Sequence, residues 1–171
     1  LNVLHSHDLL MEGEHDASAS SAVAATGWDL GTSSAADPQL YFFDLGTPDS
    51  FFEIAASLVW NRQITATDTQ PGPSASWSFT PSLANLNLRL FNADGFVLGS
   101  EIGASLSETD NVELLLANSL APGRYAWQVT SDTSGIDYGF SWNVETITAV
   151  PEPGVPVLAS VGLLFLVFRR R

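Results

Sequence analysis

The sequence predicts an all-β protein, an antiparallel β-sandwich of jelly-roll type followed by a short C-terminal transmembrane helix. Three observations favour this fold. Short runs with period-two alternation of apolar and polar residues recur through the chain, as at 86–91 and 138–144. Turn residues such as Asp94-Gly95 and Pro122-Gly123 separate these runs. Ten Phe and five Trp supply the bulk of a core in a chain that has no cysteine and therefore no disulfide.

We expect three parts along the chain: residues 1–21, 22–148 and 149–171. The first part is predicted to be an N-terminal helix remnant and a linker, because its apolar residues follow a loosely helical spacing and Gly13 would close the helix. Leu1-Asn2-Val3 has neither an initiator Met nor a secretion signal, which predicts a mature form or a fragment of something longer.

The middle part, residues 22–148, is predicted to form seven to nine short strands. A polar insert at 65–78, with Pro71-Gly72-Pro73 at its centre, interrupts them and is not expected to contribute to the core. The predicted strands follow the aromatic and alternating runs and lie near Asp29-Leu30 and at 39–44, 51–60, 86–91, 96–98, 111–116, 124–130 and 138–144.

Charge is distributed very unevenly. The chain has 6 Lys+Arg against 19 Asp+Glu, and a net charge of -13. It has no lysine, and half of its arginines stand at the extreme C-terminus, so the body before them is more acidic than the total suggests. Such a body repels nucleic acid, so we predict no nucleic-acid partner.

The third part combines three physical devices. Pro151 and Pro153 hold the backbone extended on either side of Glu152. Residues 155–168 carry no charge and would form a helix of about 21 Å, which spans a bilayer core of about 30 Å only with snorkelling arginines, local thinning of the bilayer and flanking residues at the interface. The arginines at 169–171 would stay on the cytoplasmic side, which places the body of the protein outside.

These residues resemble the PEP-CTERM sorting signal of exported bacterial proteins. The motif matches at 150–154, and its sorting residues and basic anchor are Val150, Pro151, Glu152, Pro153, Arg169, Arg170 and Arg171. The resemblance implies processing by an exosortase, transit through the inner membrane with the C-terminus in the cytoplasm, and delivery to the cell surface or a polysaccharide matrix. An ordinary single-span tail anchor is the alternative.

The body carries a second, fainter resemblance. Residues 90–95, 112–114, 120–125 and 128–130, with their Asp-Gly and Pro-Gly turns, are similar to the prepeptidase-type β-sandwich modules of secreted subtilisin-like proteases. This resemblance implies an alternative function, an accessory module whose catalytic domain lies upstream of Leu1.

One segment partly matches a nucleophile motif. Gly31-Thr32-Ser33 and the residues up to Pro38 resemble the serine motif of subtilisin-like proteases, although Ser34 stands in place of its Met and an extra residue precedes the proline. Nucleophilic serine needs a histidine base, and all three histidines precede the predicted sandwich. We therefore predict no catalytic residue and no enzyme activity.

Metal binding is not predicted either. The densest group of potential ligands is at the N-terminus, where a helix would separate the first two histidines. Acidic residues in predicted turns lack the spacing of a calcium loop, so calcium is kept only as an alternative to ordinary turn residues. The residues considered are His5, His7, His15, Asp8, Glu12 and Glu14 in the first group, and Asp94, Asp110, Asp132 and Asp137 in the second.

Tryptophan offers the remaining candidate site, because an indole can stack on a sugar ring. Trp127 and Trp142 alternate with polar residues at strand spacing and are predicted to be core residues, and Trp60 ends an apolar run. Trp77 lies in the Pro-rich insert and is predicted to be exposed, which makes it the candidate ligand contact. A carbohydrate-binding module is therefore a third hypothesis.

Overall fold

The computed structural model describes residues 3–46, 50–70 and 76–147. The sorting motif, the predicted transmembrane helix and the arginine tail lie outside the described residues. Within these described residues the elements are one helix and ten strands: α1 (Val3–Glu12), β1 (Gly27–Thr32), β2 (Gln39–Leu45), β3 (Phe51–Trp60), β4 (Gln63–Asp68), β5 (Trp77–Ser82), β6 (Leu86–Asp94), β7 (Val97–Ser105), β8 (Val112–Leu120), β9 (Gly123–Ser131) and β10 (Asp137–Ile147).

Eight of these strands form two antiparallel four-stranded sheets. The first sheet has the order β1-β10-β3-β8 and the second has the order β2-β9-β6-β7. Apart from the β6–β7 hairpin, successive strands of the eight belong to different sheets, which is the arrangement of a jelly roll. The predicted all-β sandwich is confirmed.

The core lies between the two sheets and is built from alternate residues of their strands. In β3 every second residue from Phe52 to Trp60 is buried, and β6 buries Leu86, Leu88 and Leu90. Aromatic rings pack between the sheets: the ring centroids of Tyr41, in the second sheet, and Phe140, in the first, are 4.8 Å apart. Period-two alternation places these side chains on one face of each strand. The same alternation in the sequence therefore predicted which strands form the core.

The predicted helix at the N-terminus is present as α1, and Gly13 follows it with φ +94°. Only glycine adopts such a left-handed conformation readily, which explains why the helix ends there. Within the three described stretches, no helix has the length and apolar character needed to cross a membrane.

The polar insert differs from its expected form. Its two arms pair as the antiparallel strands β4 and β5, so it is a hairpin with a two-stranded sheet of its own. The expectation that the insert lies outside the core holds, since nearly every residue of both strands is exposed. Thr65 and Thr67 on β4, and Trp77 and Phe79 on β5, stand at alternate positions and favour strands. The prolines and polar residues between the two arms hid this pattern in the sequence.

Candidate binding surface

The β4–β5 hairpin leaves the sandwich at a well-anchored base. β3 ends at Trp60, which is 3% exposed, and β4 begins three residues later. The Trp60 indole Nε1 donates a hydrogen bond of 2.9 Å to the carbonyl oxygen of Ala84, just after β5. Leu83 and Ala84 also pack against the core. Both ends of the hairpin are therefore fixed to the sandwich.

The register of the hairpin sorts its side chains into two faces. Residues directly opposite each other in an antiparallel pair project to the same side. One side carries Thr and Ser, including the pairs Thr65–Thr80 and Thr67–Ser78. The other side is apolar except for one carboxylate; we call it the aromatic face, and it consists of Ile64, Ala66, Asp68, Trp77, Phe79 and Pro81.

The large side chains of the aromatic face are unusually exposed. Ile64 and Phe79 are each 66% exposed, and Trp77 is 57% exposed. Trp77 and Phe79 are two residues apart on one strand, so their rings are about 7 Å apart along the strand direction. Apolar side chains gathered on one side of a projecting element commonly mark a binding site.

Hydrogen bonds continue for one or two residues past the strand ends of the hairpin. The backbone N–H of Thr69 donates to the carbonyl of Ser76 at 2.7 Å, which extends the pairing beyond the strands. The Thr69 hydroxyl donates to the same oxygen at 2.9 Å, and the backbone N–H of Gln70 donates to Asp68 at 2.9 Å. The residue before Trp77 is therefore hydrogen-bonded to the opposite arm of the hairpin.

A groove of about 620 Å³ opens at the end of the sandwich from which the β4–β5 hairpin leaves. Leu30, Val59 and Val112 form its apolar walls, and Gly139 lies between the first two in the strand register. Asn61 belongs to the groove and lies between β3 and the hairpin. The groove therefore continues from the base of the hairpin along the first sheet.

Beneath the groove, a polar cluster is buried within the core. The Tyr41 hydroxyl donates to Asp29 at 2.6 Å, and the Tyr41 and Tyr138 hydroxyl oxygens are 2.8 Å apart. Burial raises the pKa of Asp29, and the hydrogen bond from Tyr41 opposes that shift. Burial also raises the pKa of Tyr138 to about 12 and that of Tyr41 further, so both phenols keep their protons at neutral pH. The cluster is therefore enclosed between the sheets.

The serine of the partly matched nucleophile motif has a structural role. Ser33 is 5% exposed, and its hydroxyl donates to the carbonyl of Thr133 at 2.7 Å and accepts from the backbone N–H of Ile136 at 3.1 Å. These bonds tie the end of β1 to the loop before β10. The hydroxyl that a nucleophile would present to substrate is thus engaged in the fold.

The potential metal ligands do not converge in the described part of the chain, where no group of three His, Asp or Glu side chains could hold an ion. His15 instead packs 6.1 Å from the Trp142 ring. The turn carboxylates bind neighbouring polar groups: Asp137 accepts from Thr32 at 2.8 Å and Asp110 accepts from Ser107 at 2.9 Å.

The tryptophans divide as the sequence predicted. Trp127 and Trp142 are each 1% exposed and lie in the core, whereas Trp77 is exposed on the hairpin. Sequence reasoning missed Ile64 and Phe79 as its companions. The signal was present as the alternation of 77–82, but it could be used only once β4 was known to pair with β5.

Comparisons with known proteins identify no family for this chain. No protein-family profile matches the sequence, and no curated protein matches it. Among solved structures, the chain is similar to the pre-peptidase C-terminal domain of collagenase from Bacillus anthracis, with a TM-score of 0.44 and 11% identity. The similarity covers 72% of this chain and 91% of that one. Since both values are low, the fold is assigned from the strand order given above.

Proposed function

We propose that the chain is an exported protein of the bacterial cell surface or extracellular matrix, whose non-catalytic sandwich binds polysaccharide through the aromatic face. The exposure of Trp77 and Phe79 on one side of an anchored hairpin is the observation that carries this proposal. Aromatic rings stack on the apolar faces of sugar rings, and Asp68, opposite Trp77, adds a hydrogen-bond acceptor beside them.

The charge of the hairpin supports a neutral polysaccharide as the ligand. Across residues 61–82 the charged side chains are Arg62 and Asp68, so this segment is balanced within a chain of net charge -13. An anionic polymer would be repelled by the acidic body, whereas a neutral one can approach the aromatic face without that cost.

Retention on an immobilised neutral polysaccharide tests the proposal. We expect Trp77→Ala to weaken retention about two- to twelvefold, because one aromatic contact contributes about 0.5–1.5 kcal/mol beyond its buried area. Phe79→Ala should act in the same direction. Phe51→Ala is the matched control, since Phe51 is 50% exposed on a strand of the sandwich. Equal retention of Trp77→Ala and wild type would refute the assignment.

Delivery to the surface is proposed to depend on residues 150–171, through processing by an exosortase. Replacing Pro151-Glu152-Pro153 by alanines should abolish processing and leave membrane insertion intact, because insertion depends on residues 155–168. C-terminal mass spectrometry of the protein from fractionated native cells measures both steps. A mutant processed as well as wild type would exclude a sorting motif and favour an ordinary tail anchor.

An accessory module of a secreted protease is the second candidate. The turns that carry this resemblance are formed in the structure: Asp94-Gly95 joins β6 to β7, and Gly95 has φ +58°. The Tyr125 hydroxyl donates to the carbonyl of Ala121 at 2.8 Å across the β8–β9 turn. A protease domain encoded upstream of Leu1 in the same reading frame would favour this candidate over the first.

A further inference from the structure

The outer face of the first sheet carries exposed leucines on its edge strand. On β8, Val112, Leu114 and Leu116 point outward and are 38%, 68% and 59% exposed. Their partners across β3 are Val59 and the smaller Ser57 and Ala55. We call these six residues the trough, because small side chains on β3 lie beside a wall of large ones on β8.

Helix α1 already covers the other half of this face. It packs against β1 and β10, and the Trp28 indole Nε1 donates to the carbonyl of Leu10 at 3.5 Å. Leu9 of the helix and Leu114 of the trough line opposite sides of a cavity of about 210 Å³, with Ala55 and Ser57 between them. Among the residues that the structure describes, α1 therefore leaves the β3–β8 half of this face uncovered.

The uncovered half has the dimensions of a second helix. Two strands span about 10 Å, which is the diameter of a helix with its side chains, and neighbouring helices pack 8–10 Å apart. β3 has ten residues and is about 33 Å long, whereas the sequence of 155–168 predicts a helix of about 21 Å.

We infer that the trough binds the apolar segment 155–168 of the same chain when no membrane is present. β10 ends at Ile147, opposite Phe51, at the end of this face remote from the groove. The seven residues 148–154 can span up to about 24 Å, enough to reverse direction and start the segment along the trough. Binding there would shield the apolar segment from water before it enters a bilayer.

Charge supports this occupant. A segment running back along the trough would bring the arginines at 169–171 to the groove end of the sheet. Asp137 belongs to the groove, and Asp110 precedes Asn111, which also lines it. Both carboxylates are exposed and can attract the terminal cations. A second copy of the chain would instead bring another acidic body to this face and be repelled.

Disulfide trapping tests the inference, because the natural chain has no cysteine. Leu114→Cys is combined, one at a time, with Leu163→Cys, Leu164→Cys, Phe165→Cys or Leu166→Cys in the full chain. Each double variant is oxidised at low concentration in lipid-free and detergent-free buffer. Four consecutive positions sample every side of a helix. We expect intramolecular disulfides at one or two of them, formed at least about tenfold faster than with the control Val97→Cys, which is 70% exposed on β7.

Each outcome of the disulfide experiment either supports or overturns the docking of 155–168 in the trough. Equal rates for Leu114→Cys and Val97→Cys, or no disulfide with either, would overturn the inference. Disulfides between copies through Leu114→Cys alone would identify a second molecule as the occupant and also overturn it. A parallel sample contains phosphatidylethanolamine and phosphatidylglycerol vesicles. Trapping that persists there would argue against the proposed membrane delivery and leave the docking itself supported, so the two failures are distinguishable.

Discussion

The core and the hairpin place the same kind of residue in opposite environments. Trp142 and Trp77 both lie on strands and both alternate with polar neighbours, yet they are 1% and 57% exposed. The difference lies in what covers the strand. Trp142 faces the second sheet and packs on Tyr41 and Phe140, whereas the strand of Trp77 pairs with β4 in a sheet that is exposed on both faces. Alternation therefore predicts which side chains share one face of a strand, and tertiary contacts decide whether that face is buried.

The largest expected effect is on the core side of this comparison. Trp142→Ala should lower the free energy of unfolding by about 3–5 kcal/mol, because it leaves a cavity between the sheets. It also removes the hydrogen bond of 3.0 Å from the indole Nε1 to the carbonyl of Ala24. Urea denaturation followed by fluorescence measures the change. A loss below about 1 kcal/mol would mean that this ring is not enclosed as the structure shows.

Removing a single buried hydroxyl tests the polar part of the core. Tyr41→Phe should destabilise the protein by about 1–3 kcal/mol, because Asp29 loses its donor and stays buried. Phe42→Tyr cannot serve as a control for the hydroxyl, because Phe42 is itself buried. The double variant Tyr41→Phe with Asp29→Asn is the better control. It removes the carboxylate charge together with its hydrogen-bond donor and should recover part of the lost stability. Equal stability of Tyr41→Phe and wild type would contradict the cluster.

The pH dependence of stability should reveal Asp29. Its pKa in the folded protein is raised above the ordinary value of 3.8 by burial. The folded state therefore holds this proton more tightly than the unfolded state. The resulting stabilisation is fully present below pH 3.8 and is lost as the pH rises through the folded pKa.

Comparison with Asp29→Asn isolates this effect from other titrating groups. One of these is Asp44, whose pKa is lowered by the Arg124 guanidinium at 2.7 Å, so that its contribution has the opposite sign. Unfolding of wild type and variant is measured by urea denaturation from pH 3 to pH 7. Relative to the variant, wild type should become less stable as the pH rises. A constant difference between them would show that the pKa of Asp29 is the same in both states.

The smallest expected effect on stability is on the hairpin side. Trp77→Ala and Phe79→Ala should each change the free energy of unfolding by less than about 0.5 kcal/mol, since neither ring packs into the core. Thermal unfolding of the purified variants measures this. Weakened retention on polysaccharide at an unchanged free energy of unfolding would assign these rings to binding. A large loss of stability in either variant would instead place the hairpin among the elements that hold the fold.

The sequence by itself determined the sandwich, the helix that ends at Gly13 and the division of tryptophans between core and surface. Period-two alternation and turn residues act locally, so they can be recognised without knowledge of which strands pair. The tail at 149–171 is still a prediction from sequence.

Only the tertiary structure decided which strands became neighbours. It paired the two arms of the insert, so that Ile64 and Phe79 joined Trp77 on one face, and it brought Asp29 to Tyr41 and Tyr138 from three different strands. It also left the leucines of β8 uncovered beside α1. Such contacts depend on long-range register and on what packs over each face, neither of which a local pattern of residues specifies.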